Sequence, residues 1–434
     1  MTGNLAPASL GAGSPYTVED AVDGRVRARG ISLLAAFAGA EFSFRTCYVL
    51  ISARWLNFGT EPGVLVGFGI SACLFAFSLL VAIGRSECQI RWMLRVRSFR
   101  WVILYVAFAG CSLLWSGAAS SASSALYWLS LLFDVAVVVL LCRGFGIELA
   151  SHSLAKGFIA GTCVLAAIAW VMPPEYDLRL GDLEYFNTNQ IGNLCALSLL
   201  LYFLLMVRGE RRRLTVPLFL GLTLCRSLSK TTIIAFVACE SYRLAKDRSM
   251  NRKQRWLLVI IAPAVCLIFL GLWETYFAIY TVGNQAETLT GRTGIWAWAL
   301  AAGWNHPWLG NGFDAMWKIA PPFGGDLFEA RHAENELLQQ FFAYGICGIV
   351  LLAGVYTSLY KQILLIGNES QRSLLIGVLI YVVVRGLAEA EPFDLLLPLW
   401  LVTIIAFITR AETGRSFSDD LGRLRIDPKT LEKI

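Results

Sequence analysis

The sequence predicts an all-α, polytopic membrane protein with about 12 crossings, on three observations. Hydrophobic residues make up 56% of the 434 positions and charged residues only 16%, with a mean hydropathy of +0.60, a composition too apolar for a water-soluble domain. Apolar runs of about 20 residues, the length a helix needs to cross a bilayer core, recur along the chain. Lysine and arginine concentrate in alternate inter-run segments, as the positive-inside rule requires of cytoplasmic loops.

In chain order, residues 1–29 form a cytoplasmic tail with arginines only at its end and no cleavable signal pattern, so the first apolar run is expected to be a permanent anchor. Clear spans follow near 30–52, 62–84, 101–117, 121–142, 154–172 and 190–207, and later near 256–279, 337–360, 373–387 and 395–410. The stretch 214–242 is split by a polar knot at Arg226 to Lys230 and flanked on both sides by basic loops. Both flanks therefore belong on one face, and the stretch enters and returns as two short helices with Ser227, Ser229 and Lys230 at the far tip. This divides the chain into helices one to nine (30–279), a long extracytoplasmic loop (280–336), helices ten to twelve (337–410) and a polar cytoplasmic tail (411–434).

With both termini inside, 28 of the 37 lysines and arginines lie in cytoplasmic segments. The nine on the other side are Arg45, Arg54, Arg179, Arg226, Lys230, Arg292, Lys318, Arg331 and Arg385. Cations on that face either solvate an outer loop or hold an anion. The 11 cysteines are scattered singly, without ligand spacing, and read as core residues rather than metal ligands or a disulfide framework. No internal repeat marks an inverted-repeat transporter.

The 280–336 loop is long enough to carry function. In it, Thr290 is expected to cap a helix with Gly291 and Arg292 in the first turn and Ile295, Trp298, Ala299 and Ala302 on one face. Trp296 and Trp304 lie off that face, as on a helix resting at a membrane interface. A helix start attracts anions, and a guanidinium there adds a forked charge, so Arg292 can bind phosphate; lipid headgroups or Glu287 are its ordinary alternatives. "HPWLGNG" (His306 to Gly312) reads as a turn. Next, Arg331, His332, Glu334 and Asn335 precede an apolar helix, either as a helix-capping cluster or as proton-transfer chemistry. His332 is favoured as base for its neutral-range pKa, with Glu334 as the alternative. Tryptophans 296, 298, 304, 308 and 317 suit either sugar stacking or an interfacial belt. Arg385, Glu389, Glu391 and Asp394 in "VVVRGLAEAEPFD" can orient a hydroxyl or clamp the loop through ion pairs.

The order "TGRTGIW", "HPWLGNG", then "HAEN" with nine residues to "GICG", preceded by "FNTNQIG" (Phe186 to Gly192) and "SLSKTT" (Ser227 to Thr232), resembles the O-antigen ligase and polymerase superfamily, above all its exopolysaccharide-polymerase branch. The resemblance spans about 186 to 348. It implies a metal-independent membrane glycosyltransferase of C type, without cofactor, in the bacterial inner membrane and facing the periplasm. The donor it implies is an undecaprenyl-pyrophosphate-linked oligosaccharide, passed to a glycan acceptor. Arg292 would bind pyrophosphate, and Lys230 stands where other members often have arginine. Arg226, Arg331, Arg179, Asn335, Arg385 and Glu389 complete the expected substrate-binding set, with His332 and Glu334 as catalytic candidates. The family commonly has His-Asn where this chain has Glu334-Asn335, with His332 two residues earlier. Membrane lipids and polysaccharide export proteins are the other expected partners, and nucleic acid is not one. A transporter with a path through Glu41, Arg45 and Asp134, or a non-catalytic export subunit, are the competing classes; Glu41 and Arg45, at i and i+4, can instead neutralise each other.

Overall fold

The computed structural model describes residues 18–173, 179–181, 185–211, 213–247, 252, 256, 288–323 and 330–424, with side chains from 32 up to 413 apart from 288–291. The regular elements among these residues are helices. Helix α1 (Val18–Leu50) runs on through a π turn (Ile51–Trp55) into α2 (Glu61–Gly84). The short α3 (Ile90–Leu94) leads to α4 (Arg97–Ser112), α5 (Ser121–Phe145), α6 (Ile147–Val171) and α7 (Thr188–Val207). Then come α8 (Thr215–Arg226), α9 (Lys230–Lys246), α10 (Thr288–Asn305), α11 (Met316–Ile319), α12 (Glu336–Ile363), α13 (Glu369–Gly386) and α14 (Leu399–Leu424).

Six of these segments are long and apolar enough to cross a membrane: Ser32–Trp55, Glu61–Gly84, Ser121–Phe145, Ile147–Val171, Thr188–Val207 and Glu336–Ile363. Beyond Trp256, the span expected at 256–279 lies outside the described residues. The expected short pair is present, turning at Ser227–Ser229 with both serines buried. The run expected at 101–117 is shifted: its helix covers 97–112, after which the Leu113, Leu114 and Trp115 amides bond three residues back in tighter turns and the Gly117 amide leaves for Asn311 O.

Outward faces are apolar. On α2, Leu65, Val66, Phe77, Leu80 and Ile83 are all more than half exposed, a continuous greasy stripe that water would not tolerate and lipid would. Inside, where lipid-like side chains give no net drive to associate, helices close on small residues. A Cβ on Gly157 would run into the Ala36 carbonyl, and one on Gly39 into that of Leu154, so α1 and α6 touch backbone to backbone.

The intramembrane charges form a structural cluster in which the expected Glu41–Arg45 pair is joined by a closer partner. Arg45 grips Asp134 of α5 with both arms, at 2.7 and 3.0 Å, and Ser71 of α2 at 3.1 Å, while Glu41 lies 3.9 Å off and takes the Tyr48 hydroxyl at 2.6 Å. A guanidinium fork fits a facing carboxylate better than one a turn away on its own helix.

Helix ends sort into two sets. At one, Glu210 holds Lys156 at 2.7 Å and also His152, Arg208 reaches Glu148 at 2.6 Å, and Gln371 reaches Glu412 at 2.8 Å. All these residues come from segments expected on the cytoplasmic side or within one residue or two of them. Asn189 begins α7 and Arg208 follows its end, roughly 28 Å away at 1.5 Å per residue. The candidate site lies at the Asn189 end.

Candidate active site

Glu389, in the loop after α13, is the meeting point. Its side chain is 5% exposed, and Oε1 accepts from Asn189 Nδ2 at 2.8 Å, Thr231 Oγ1 at 3.2 Å and Arg292 at 3.3 Å. These donors come from "FNTNQIG", "SLSKTT" and "TGRTGIW". Each sits near the start of its helix, α7, α9 or α10. Ser229 ties the first two motifs together, donating to Asn189 Oδ1 at 2.9 Å. Lys230 opens α9 one residue before Thr231, and Arg226 ends α8 across the turn, both half-buried.

Arg292 is fixed from two sides. NH1 donates to the Ala388 carbonyl at 2.7 Å, while NH2 lies 3.3 Å from Glu389 and 3.4 Å from Glu334 Oε2. Helix α10 begins at Thr288, two residues before the expected cap, so Thr290 lies inside it. The expected apolar face is correct: Ile295 and Ala299 are buried, with Trp298 and Ala302 packed beside them against Met316, Ala333 and Phe342. Trp296, off that face, donates to the Glu334 carbonyl at 3.2 Å, and Trp304 is 62% exposed.

In "HAEN", Glu334 has φ +50°, a backbone conformation unusual outside glycine and frequent at functional sites. Its carboxylate is 17% exposed and 3.8 Å from His332 Nδ1, and burial pushes its carboxyl above the usual range against the pull of Arg292. His332 Nδ1 accepts the Glu334 amide at 3.4 Å, which leaves the neutral ring's proton on Nε2. Asn335 caps α12, accepting from Leu338 N at 3.1 Å, and its amide donates to Leu387 O at 3.0 Å. Helix α12 thus becomes the fourth to start here.

The turn and the "GICG" element turn out to be one device. Gly345 breaks α12 with φ +62° and ψ −150°, freeing groups on both sides of the kink. The Asn311 and Gly312 amides donate to Phe342 O and Ala343 O at 2.9 and 2.8 Å, and the Ile346 and Cys347 amides donate back to Pro307 O and Trp308 O at 2.7 and 3.3 Å. Gly310 and Gly312 have positive φ, as expected.

The other expected site residues make contacts of their own. Arg331 is exposed and lies over the Trp317 ring at 5.2 Å. Arg179 is half-buried in the 179–181 segment before α7. Arg385 is 2% exposed and meets Glu391 at 3.7 Å. Of the acidic trio, Glu389 clamps Arg292, Glu391 pairs with Arg385, and Asp394 accepts the Leu395 and Leu399 amides at 2.7 and 3.2 Å, capping α14. Asn189 and Thr231 were missed as site residues; both lay inside the quoted motifs.

A helical membrane protein with arginine and carboxylates gathered at four helix starts defines the class. A family model described as O-antigen ligase matches residues 215–353, a stretch that includes Arg292, "HPWLGNG", "HAEN" and "GICG", so this part of the chain is similar to that family. Among particular relatives, the chain is similar to "Exopolysaccharide production protein ExoQ" of Rhizobium meliloti, 23% identical over 344 residues, 72% of this chain and 76% of that one. It is also similar to an "O-antigen ligase" of Pseudomonas aeruginosa, 27% identical over 270 residues, 58% of this chain and 62% of the relative, which is less than two thirds of that ligase's length.

Proposed function

We propose that this chain is a glycosyltransferase that joins undecaprenyl-pyrophosphate-linked oligosaccharide units in surface polysaccharide synthesis, and that it polymerises repeat units rather than ligating finished chains. The similarity to a relative named for exopolysaccharide production supports a role in making a surface polysaccharide, and polymerisation is the reading put to the test. In this reading the chain crosses the bacterial inner membrane about twelve times with both termini in the cytoplasm, and residues 280–336 carry the catalytic loop on the periplasmic face.

The observation that carries the proposal is the convergence of four helix starts on the Leu387–Glu389 loop, which holds Arg292. Helix N-termini present free amides and a positive dipole end, a ready setting for pyrophosphate. The acceptor hydroxyl attacks the anomeric carbon, the bond from that carbon to pyrophosphate oxygen breaks, and the hydroxyl proton passes to a base. Charge grows on the departing pyrophosphate, where Arg292 and the helix starts stabilise it without reorganising. Lys230, Arg226, Arg179 and Arg331 are further cations for the phosphates and the glycan, Asn335 sets the first turn of α12, and Glu389 and Arg385 act from beneath. The base is Glu334: burial raises its proton affinity, whereas His332 already spends its Nδ1 lone pair on the Glu334 amide. His332 then tunes and orients Glu334.

Deleting the gene and sizing the carrier-linked glycans tests the choice. Single repeat units on the carrier support polymerisation, full-length unattached chains would mark a ligase, and unchanged glycans would overturn both.

A further inference from the structure

Three segments far apart in sequence place a donor on one carboxylate oxygen that faces almost no solvent. Asn189, Thr231 and Arg292 all reach Glu389 Oε1, and the carbonyl just before it, Ala388 O, holds the other arm of Arg292. A free arginine samples many rotamers, and ordering one at the moment of reaction is expensive. Here the guanidinium is held at both amino groups, NH1 by a backbone carbonyl and NH2 by Glu389, and its side chain is still 28% exposed. Glu389, at 5%, is not exposed enough to meet a substrate itself.

We infer that Glu389 is a positioning residue: it assembles the α7, α9 and α10 starts around itself and aims Arg292 at the donor's pyrophosphate, without touching the donor. The inference rests on the proposed role of Arg292. Glu334 shares NH2 with Glu389 at nearly equal distance, but it lies in the loop before α12 and receives no bond from α7 or α9. When pyrophosphate arrives, Glu334 is therefore the partner that yields and Glu389 the one that stays. The offset matters because misplacing a group by about 1 Å can lower a rate by about 10²-fold.

The test combines chemical modification with kinetics on purified full-length protein. Phenylglyoxal labelling of Arg292, followed by peptide mass spectrometry, needs no activity and so stands even if the chain transfers no sugar. In Glu389→Gln, which keeps size but loses the charge, Arg292 should react several-fold faster. With undecaprenyl-pyrophosphate oligosaccharide as substrate, kcat should fall about 10- to 100-fold while the donor KM changes less. In an Arg292→Ala background Glu389→Gln should add no further loss, because its effect runs through that arginine. Thr231→Val, a gentler removal of one donor, should move labelling and kcat the same way by a smaller factor and guards against a misfolded Glu389 variant. Unchanged Arg292 labelling in both variants, multiplicative losses in the double variant, or a rise in KM with kcat intact would each overturn the inference.

Discussion

Gly345→Ala tests the coupling between the kinked helix and the loop that carries "HPWLGNG". At φ +62° and ψ −150° the native backbone lies in a region open essentially only to glycine, and forcing alanine there is worth about 1–3 kcal/mol of strain. The new Cβ would also stand 2.5 Å from the Pro307 oxygen and the Trp308 carbonyl carbon, both backbone atoms with no side-chain freedom to yield. The helix must straighten or the loop must leave. Either way the four bonds made by the amides of Asn311, Gly312, Ile346 and Cys347 are put at risk, each worth about 1 kcal/mol net. The expected loss is therefore about 3 kcal/mol or more, read as a fall in Tm of the detergent-solubilised protein. Turnover should drop as well, because "HAEN" begins the same helix. Deuterium exchange should show the Asn311 and Gly312 amides losing protection. Gly221→Ala on α8, where a Cβ meets nothing within 4 Å, is the control and should be neutral or stabilising by up to about 1 kcal/mol. A Gly345→Ala protein that melts with wild type and keeps both amides protected would refute the coupling.

The proposed base makes a pH prediction. Glu334 accepts a proton only when ionised and its pKa is raised by burial, so the rate should fall with decreasing pH at an acid limb above the ordinary carboxylate range, and Glu334→Gln should lower turnover by about 10²–10⁴. His332→Ala should cost less; the reverse order would assign the base to His332. Asp394, pushed well above its usual value by burial, costs nothing below the ordinary carboxylate pKa and destabilises progressively as pH rises from there through its folded value. Asp394→Asn should thus match or exceed wild-type Tm at neutral pH and converge with it in acid, whereas Asp394→Ala, losing the α14 cap, should lose about 0.5–2 kcal/mol. In a background without native thiols, a membrane-impermeant reagent should label cysteines at positions 292 and 332 in intact cells; labelling at 248 would reverse the assignment of sides.

What the sequence shows of this molecule depends on the range of the interaction. Six of the expected spans were readable because a bilayer imposes one length on apolar runs, and the Ile295–Ala302 face because packing imposes a period; both signals are local. The pairing of Arg45 was legible only in part: Glu41 stands 3.9 Å away as expected, but the closer partner, Asp134 of α5, comes from 89 residues away and sequence offers only the neighbour a turn along. Glu389 was readable as a clamp but not as the point where Asn189, Thr231 and Arg292 meet, because that junction exists only once three helices have packed. The "GICG" spacing was recognised as a pattern, and its cause, a glycine kink that docks "HPWLGNG", needed backbone geometry.

The central claim is glycosyl transfer from a pyrophosphate carrier with Arg292 on the leaving group. Purified protein in proteoliposomes, given undecaprenyl-pyrophosphate oligosaccharide, should produce longer glycan and release undecaprenyl pyrophosphate. Arg292→Ala should lower this by a factor equivalent to roughly 2–4 kcal/mol, with Arg292→Lys recovering part because its point charge lacks the fork. Movement of the substrate across the membrane with no covalent change, or wild-type turnover by Arg292→Ala, would contradict the account.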